Sequence, residues 1–239
     1  MFGLPSLLRN LIAAVTLLAS TSSVSAASST APAEPGADVK DGKTLVSVNG
    51  MTESDYAACV SELTSRKVVF EQVGKVKQQG CELSGAIQLA AVPTAFGKVR
   101  ISGKPTMLCS FARQFSDWVS DVGAPLTLAY TGQRLGRIEA GSSFVCTARY
   151  DKPGQAPSEH AKGDAIDISS FVLANNRRIH VKQEDSDIPV ERDLVRVLRT
   201  TACAYFTTVL GPGSDSAHEE HFHFDTGMHG ATPNYRICE

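Results

Sequence analysis

The chain has 239 residues, of which 42% are hydrophobic and 20% are charged, and its formal net charge is −2. This is the balance of a globular protein that can bury a core, so it excludes a wholly disordered chain and a fibrous repeat protein. Proteins that bind nucleic acid usually carry a strong basic excess, so the charge also argues against a nucleic-acid partner.

The N-terminus has the pattern of a secretory signal peptide over residues 1–26. Arg9 is its only charged residue, residues 11–19 form an apolar core, and residues 24–26 (VSA) are a small-residue cleavage site. The apolar run is shorter than the about 20 residues that span a bilayer, so we expect no stable membrane span after cleavage. The sequence therefore predicts a periplasmic or secreted protein.

Residues 27–50 are rich in Ala, Pro and Ser and hold few large apolar side chains. Such a segment buries too little surface to repay the entropy lost on ordering, so it predicts a flexible linker. One folded domain is expected to follow, over residues 51–239.

Six cysteines are spread widely along this domain, and no two of them form a C-x-x-C pair. That spacing argues against a zinc finger and against a thioredoxin-type redox centre. In an exported protein the expected state is disulfide-bonded. The sequence does not choose among the pairings, but pairing neighbours along the chain gives Cys59–Cys81, Cys109–Cys146 and Cys203–Cys238.

Hydrophobic periodicity predicts the elements of the domain. In chain order they are a helix at 53–66 capped by Thr52, strands at 67–73 and 86–92, a helix at 107–122 capped by Thr106, a hairpin of 134–139 with 142–150, strands at 165–173 and 179–181 joined by a turn at 175–176, a helix at 190–209, and a strand at 222–225. Helices flanking a central antiparallel sheet define an α+β fold.

The histidines are the residues most indicative of chemistry. His218, His221 and His223 fall close together, and in a strand His221 and His223 would share one face. A turn at Gly163 would bring His160 beside Asp167, which lies in the strand predicted at 165–173. Catalytic zinc sites take three nitrogen or oxygen ligands and leave a fourth position for water. This pattern predicts a Zn²⁺ site on the sheet.

Two motifs carry a resemblance to known families. Residues 158–167 resemble the S-x-H-x-x-G-x-A-x-D signature of bacterial zinc peptidases that cut D-alanyl bonds in the cell wall, with matches at Ser158, His160, Gly163, Ala165 and Asp167. The segment around 220–223 resembles an E-x-x-W-H motif with Phe222 in place of tryptophan, and 218–223 resembles the H-x-x-H-x-H arrangement of penicillin-insensitive murein endopeptidases. The wider stretch 53–239, with its cysteine pattern, is similar to the bacterial extensin-like C-terminal domain family.

The resemblance implies roles for individual residues. His160, Asp167 and His223 would hold Zn²⁺. The general base is either Glu220 or His221, and strand alternation favours His221 because it would share the face of His223. His218 is a candidate substrate contact or a support for a metal ligand, and Arg149 is a candidate for binding an oxyanion or a stem-peptide carboxylate.

We therefore expect an exported zinc-dependent peptidase that hydrolyses peptide bonds in the stems or cross-links of peptidoglycan, as a murein endopeptidase or carboxypeptidase. The alternative is a non-catalytic module that binds or organises the cell wall and retains the peptidase fold. The sequence leaves open which bond is cut and which oligomeric state the protein adopts.

Overall fold

The structure of the protein, a computed structural model, describes residues 50–239 except 79, 142, 149–155, 183–187, 231 and 233–234. The predicted signal peptide at 1–26, and the predicted linker at 27–50 apart from Gly50, therefore lie outside the described residues. In the described part of the chain no helix is both long enough and apolar enough to cross a membrane.

The described domain opens with a capped helix and a long β-hairpin. Helix α1 (Glu53–Ser65) begins after Thr52, whose side-chain oxygen accepts a hydrogen bond from the backbone N–H of Asp55 at 3.1 Å, as predicted. Strands β1 (Val69–Gln78) and β2 (Cys81–Thr94) pair antiparallel and are longer than the sequence predicted. Strand β3 (Gly97–Ile101) then returns alongside β2.

The prediction of a single helix at 107–122 is wrong. Its first residues form strand β4 (Thr106–Leu108), because their backbone pairs with β2, and Thr106 is therefore not a helix cap. Helix α2 (Cys109–Trp118) follows and continues through a π-helical turn (Val119–Gly123) into helix α3 (Ala124–Thr131). The last of these ends at Gly132, which adopts a φ of 66° that suits glycine.

The predicted hairpin of 134–139 with 142–150 is also wrong. Strand β5 (Leu135–Ala140) instead pairs with β3 and with β6 (Ala165–Leu173). The described part of 142–150 contributes only an isolated bridge between Ala148 and Pro157. The described residues between β5 and β6, at 141, 143–148 and 156–164, therefore add no further strand, and the last of them lead into β6 at the predicted zinc signature.

One helix and four strands complete the described fold. They are β7 (Arg178–His180), helix α4 (Pro189–Ala202), β8 (Thr208–Leu210), β9 (Phe222–Asp225) and β10 (Ile237–Cys238). The helix predicted to reach residue 209 ends at Ala202, because residues 208–210 pair with β9. The predicted strands at 165–173 and 222–225 are confirmed with the same bounds.

The described strands form one mixed sheet in the order β1-β2-β3-β5-β6-β9-β8-β10, with β4 added to β2 and β7 added to β6. The expectation of a wholly antiparallel sheet is wrong, since β3 and β5 pair parallel, as do β8 and β10. The chain between β3 and β5 is long enough to cross over because it includes α2 and α3, and a parallel pair requires such a crossover. The predicted α+β fold class is confirmed, because helices flank this mixed sheet.

An aromatic core lies beneath the C-terminal strands. The ring centroid of Trp118 is 5.2 Å from that of Phe224, and that of Phe206 is 4.9 Å from that of Phe224. Phe222, next but one along β9, is also fully buried. Burying each of these side chains contributes on the order of 2 kcal/mol, so the inward face of β9 is strongly specified. Its other face is thereby turned toward the predicted zinc site.

Three disulfides join the elements, as expected of the compartment, but two of the predicted pairings are wrong. Cys59 pairs with Cys109 and Cys81 with Cys146, whereas Cys203 pairs with Cys238 as predicted. Cys59 on α1 lies against the start of α2, so its partner comes from the next helix rather than from the next cysteine. Cys81, at the start of β2, ties that strand to the loop between β5 and β6.

Candidate metal centre

Two neighbouring strands place the central pair of side chains. Asp167 on β6 and His223 on β9 are direct cross-strand partners, so their side chains emerge side by side on one face of the sheet. The flanking residues of Asp167, Ile166 and Ile168, are fully buried on the opposite face. The alternation read from the sequence therefore puts the carboxylate and the imidazole together.

His160 reaches the same point from a tight loop that precedes β6. The backbone N–H of Gly163 donates to the carbonyl of His160 at 3.1 Å, and the Gly163 carbonyl accepts from the backbone N–H of Leu108 at 2.9 Å. Gly163 has a φ of +72°, and a Cβ there would lie 2.6 Å from the side chain of Leu83. Only glycine fits this conformation and this close approach. The turn predicted at Gly163 therefore packs directly on the sheet.

Three potential ligand atoms converge in the resulting cluster, which we call the triad (His160, Asp167, His223). Nε2 of His160 lies 3.1 Å from Nδ1 of His223 and 3.3 Å from Oδ1 of Asp167, and the last two atoms are 3.1 Å apart. Four ligands placed tetrahedrally at zinc distances of about 2.0–2.2 Å lie about 3.3–3.6 Å from one another. The triad atoms are within a few tenths of an ångström of that spacing, so the donor set fits zinc.

The outer nitrogen of each triad histidine is held by a backbone or side-chain acceptor. Nδ1 of His160 donates to the carbonyl of Ser143 at 2.8 Å, and Nε2 of His223 donates to Oδ2 of Asp225 at 3.0 Å. Each acceptor therefore holds a proton on the outer nitrogen, and the inner nitrogen of each ring, which is the potential metal ligand, faces Asp167. This is the arrangement that typically orients metal-bound histidines.

The local field favours positive charge at the triad. Burial alone would raise the pKa of Asp167, but its hydrogen bonds with His160 and His223 and their charges hold that pKa well below its usual range. Burial would lower the pKa of His223, but its hydrogen bonds to Asp167 and Asp225 raise that pKa to about 9. The field that retains a proton on a buried imidazole also attracts a divalent cation.

His221 lies at the edge of the triad. Its Nε2 is 3.6 Å from Oδ1 of Asp167, and its side chain is half-buried. Burial lowers the pKa of His221, which favours the neutral imidazole. The His218 ring centroid is 5.4 Å from that of His221 and 5.5 Å from that of His223, and its Nδ1 is 2.7 Å from Oδ1 of Asp215. The structure thus brings both histidines to the site.

Glu220 is turned away from the triad. Its side chain is 72% exposed and forms an ion pair with Lys182. Counted back from His223, the glutamate of an E-x-x-W-H motif falls on Glu219 rather than Glu220, and Glu219 is also exposed. Arg149 lies outside the described residues. Of the three candidates for catalysis that the structure describes, it therefore brings His221 and His218, but not Glu220, to the triad.

A second cluster lies behind His223 and was not predicted. Oδ1 of Asp225 is 2.9 Å from Nε2 of His229, and potential ligand atoms of Glu159, Asp225 and His229 all lie within 4.8 Å of one another. Glu159 is nearly fully buried and pairs with Lys162 at 2.8 Å. The sequence did hold a signal for Asp225, since it follows His223 by two residues on the same face of a strand. It held none for His229 or Ser143.

A polar groove of about 410 Å³ lies beside the triad. It is lined by Ser169, Ser170, Arg178, His180, Lys182 and Glu220. Ser169 follows Asp167 by two residues on the accessible face of β6, so the groove begins about 7 Å along the strand from the triad. Glu220 connects its other side to His221. The groove and the candidate metal centre are therefore neighbours along β6.

The chain matches a known protein family. The family model for the extensin-like protein C-terminus matches residues 57–239. That match covers most of the chain, and the chain therefore belongs to the extensin-like C-terminal family, as its sequence predicted. Comparison with curated proteins and with solved structures gave no significant match.

Proposed function

We propose that this protein is an exported, zinc-dependent peptidase that hydrolyses peptide bonds in the stems or cross-links of peptidoglycan. The observation that carries the proposal is the triad, in which potential ligand atoms of His160, Asp167 and His223 meet at 3.1–3.3 Å. Three nitrogen or oxygen ligands are the number that a catalytic zinc site uses.

Zinc held by the triad would supply a Lewis acid that polarises a carbonyl and lowers the pKa of water to about 7. The chain would supply the proton transfers. His221 is placed to accept a proton at Nε2 from a nucleophilic water and to pass it to a leaving amine. Ser143 and Asp225 would keep the triad imidazoles in one orientation during these steps.

The resemblance to zinc peptidases of the cell wall supports the same reading, because the matched residues have structural reasons in this chain. Ser158 accepts a hydrogen bond at Oγ from the backbone N–H of Ala161 at 3.2 Å and so closes the loop that presents His160. Ala165 is fully buried where β6 meets β9. With Gly163, these residues build the loop and strand that bring the metal ligands together.

The groove beside the triad supports a peptide substrate that carries carboxylates. Arg137 and Arg178 both contact Oε1 of Glu139, at 2.7 Å and 3.2 Å, so this trio has an excess of one positive charge. Among the described residues, Lys182 forms an ion pair with Glu220 alone, and an exposed pair of this kind is worth about 0–1 kcal/mol. Arg178 and Lys182, the two cations that line the groove, can therefore pair with a substrate carboxylate at a small cost in free energy.

The second candidate is a cell-wall-binding or scaffolding module that holds zinc without turnover. The orientation of Glu220 favours it, because one of the two predicted bases is paired with Lys182 instead of facing the triad. This candidate predicts binding to peptidoglycan with no change in the polymer.

A muropeptide digest tests the proposal. Mature protein from an oxidising compartment is incubated with cross-linked peptidoglycan, with chelator, with chelator followed by zinc, and with neither, and the products are identified by mass spectrometry. Loss of cross-linked species or of a terminal residue that chelator blocks and zinc restores is the expected result, and the product masses name the bond. If the protein retains zinc and binds the polymer but leaves the substrate intact, the result would support the second candidate, a binding or scaffolding module.

A further inference from the structure

A second polar pocket, of about 300 Å³, lies at the opposite end of the sheet from the triad. It is lined by residues in and next to β3 and β5, among them Phe96, Lys98, Arg100 and Arg134, and by Ala174, which directly follows β6. Ala174 is seven residues after Asp167, which corresponds to about 23 Å of extended chain. We call it the basic pocket, and it is separate from the candidate metal centre and its groove.

Backbone geometry directs three cationic side chains at this pocket. Lys98 and Arg100 flank the buried Val99, so alternation along β3 turns both toward the accessible face. Arg134 approaches from the turn before β5, where its Nη1 donates to the carbonyl of Phe96 at 3.3 Å. A Cβ at Gly97 would lie 3.0 Å from that nitrogen, so the guanidinium rests against a glycine backbone.

These three cations differ from most of the other basic residues in the described part of the chain. Within the described residues, Lys98, Arg100 and Arg134 form no ion pair with a carboxylate. Elsewhere in the same part of the chain, pairs with Asp or Glu are formed by Arg66, Lys77, Arg113, Arg137, Lys162, Arg177, Arg178, Lys182, Arg192 and Arg196. Arg100 is moreover the parallel-strand partner of another cation, Arg137. The basic pocket is therefore a local positive site in a chain of net negative charge.

We infer that the basic pocket binds a phosphate group. Three cations around one cavity repel one another, and an anion with several acceptor oxygens and up to two charges relieves that repulsion. The planar guanidinium of an arginine matches two phosphate oxygens at once, and two of the three cations here are arginines. A single carboxylate has fewer oxygens and less charge to offer three donors. The phosphate can belong to a soluble phosphorylated compound or to a lipid headgroup.

Calorimetric titration of the full mature protein with pyrophosphate and with inorganic phosphate tests this inference. The titrations are run with and without added zinc, because phosphate that binds at the triad would depend on zinc. We expect saturable, zinc-independent binding that weakens about fivefold or more in Lys98→Gln, Arg100→Gln and Arg134→Gln. Arg196→Gln, which removes an exposed arginine from α4, is the matched control and should bind like the wild type.

Co-sedimentation with vesicles then separates the two sources of phosphate. Binding to phosphatidylglycerol vesicles but not to phosphatidylcholine vesicles, lost in Arg100→Gln, assigns the pocket to a lipid headgroup. Binding of free phosphate or pyrophosphate without vesicle binding assigns it to a soluble compound. Absence of saturable binding to every phosphate probe, or an equal loss in Arg196→Gln, would overturn the inference. Since the pocket is remote from the triad, either result is independent of peptidase activity.

Discussion

Asp225 accepts a hydrogen bond from Nε2 of His223 at 3.0 Å, on the side of the imidazole opposite Asp167. The carboxylate is nearly fully buried and also receives the backbone N–H of Gly227 at 2.8 Å. It is thus a fixed partner that holds the ring and keeps its proton away from the triad. Partners of this kind typically contribute a factor of about 10–100 to metal affinity.

We therefore expect Asp225→Ala to weaken zinc binding by about 10–100-fold while the triad itself is intact. Competition with a chromophoric chelator measures the affinity. Asp215→Ala is the matched control, because Asp215 holds His218, which is not a triad residue, and this variant should bind zinc within about twofold of the wild type. Equal affinities in Asp225→Ala and in the wild type would show that Asp225 does not position His223.

Removing a triad residue should abolish zinc retention. His160→Ala, Asp167→Ala and His223→Ala each leave two of three ligands, and we expect each to retain less than about a tenth of the zinc bound by the wild type. The disulfides should keep the folded domain intact, which circular dichroism checks. His180→Ala, an exposed histidine in the groove, is the control and should keep its zinc. Stoichiometric zinc in any triad variant, by elemental analysis, would remove that residue from the ligand set.

The role of His221 separates metal binding from turnover. We expect His221→Ala to keep stoichiometric zinc but to lose about 10²–10⁴-fold in the rate of muropeptide cleavage, because a positioned base contributes a factor of this size. Glu220→Gln should cleave at close to the wild-type rate, since its side chain faces Lys182. The opposite result, with Glu220→Gln inactive and His221→Ala active, would assign the base to Glu220.

The pH dependence of stability should report on Asp164, which lies in the loop before β6. Burial raises its pKa from 3.8 to about 6; Lys162 opposes the shift, and the carboxylates of Glu159 and Asp225 add to it. A folded-state pKa above the unfolded value means that the protonated form is favoured on folding. The stabilising contribution is therefore complete below about pH 4 and is lost as the pH rises through about 6.

Asp164→Asn should consequently raise the free energy of unfolding at pH 7 by about 1–3 kcal/mol, with little effect at pH 4. Urea denaturation of the variant and the wild type at both pH values gives the difference. Asp193→Asn, at an exposed position on α4, should show no such dependence. A variant that is equally or less stable than the wild type at pH 7 would contradict the expected burial cost of the carboxylate.

The disulfide between Cys81 and Cys146 should affect the metal centre as well as stability. It anchors the loop that carries Ser143, whose carbonyl fixes the His160 ring. We expect the double variant Cys81→Ala and Cys146→Ala to lose about 2–5 kcal/mol of stability and also to bind zinc more weakly. The matched double variant of Cys203 and Cys238 should lose stability without the loss of zinc affinity. Equal zinc affinities in the two double variants would uncouple the loop from the site.

The sequence predicted the triad because the positions of its residues depend on patterns between residues that are close along the chain. Alternation along β6 and β9 places Asp167 and His223 outward because their neighbours are large and apolar, and a glycine marks the turn that carries His160. Asp225 obeys the same alternation, and a count extended by two residues beyond His223 would have included it. These relationships involve residues close in sequence or a single strand pairing.

The relationships that the sequence did not predict depend on long-range packing. Thr106 and Met107 have helical neighbours, yet their backbone groups complete the sheet at β2, which outweighs local helix preference. The partner of each cysteine depends on which of α1, α2, β2 and the loop after β5 come together in the fold. The spacing of the cysteines along the chain does not predict this. Ser143 contributes through its carbonyl, a group that every residue carries, so its side chain gives no signal.

The order of the strands has a consequence for when the centre can form. β9 is inserted between β6 and β8, although it lies within the last eighteen residues of the chain, from Phe222 to Glu239. A chain that is still emerging, or that has been cut before β9, has only two of the triad residues and leaves the edge of β6 open. Ligand assembly and completion of the sheet are thus one event. The metal site that we propose is therefore complete only when β9 has paired between β6 and β8.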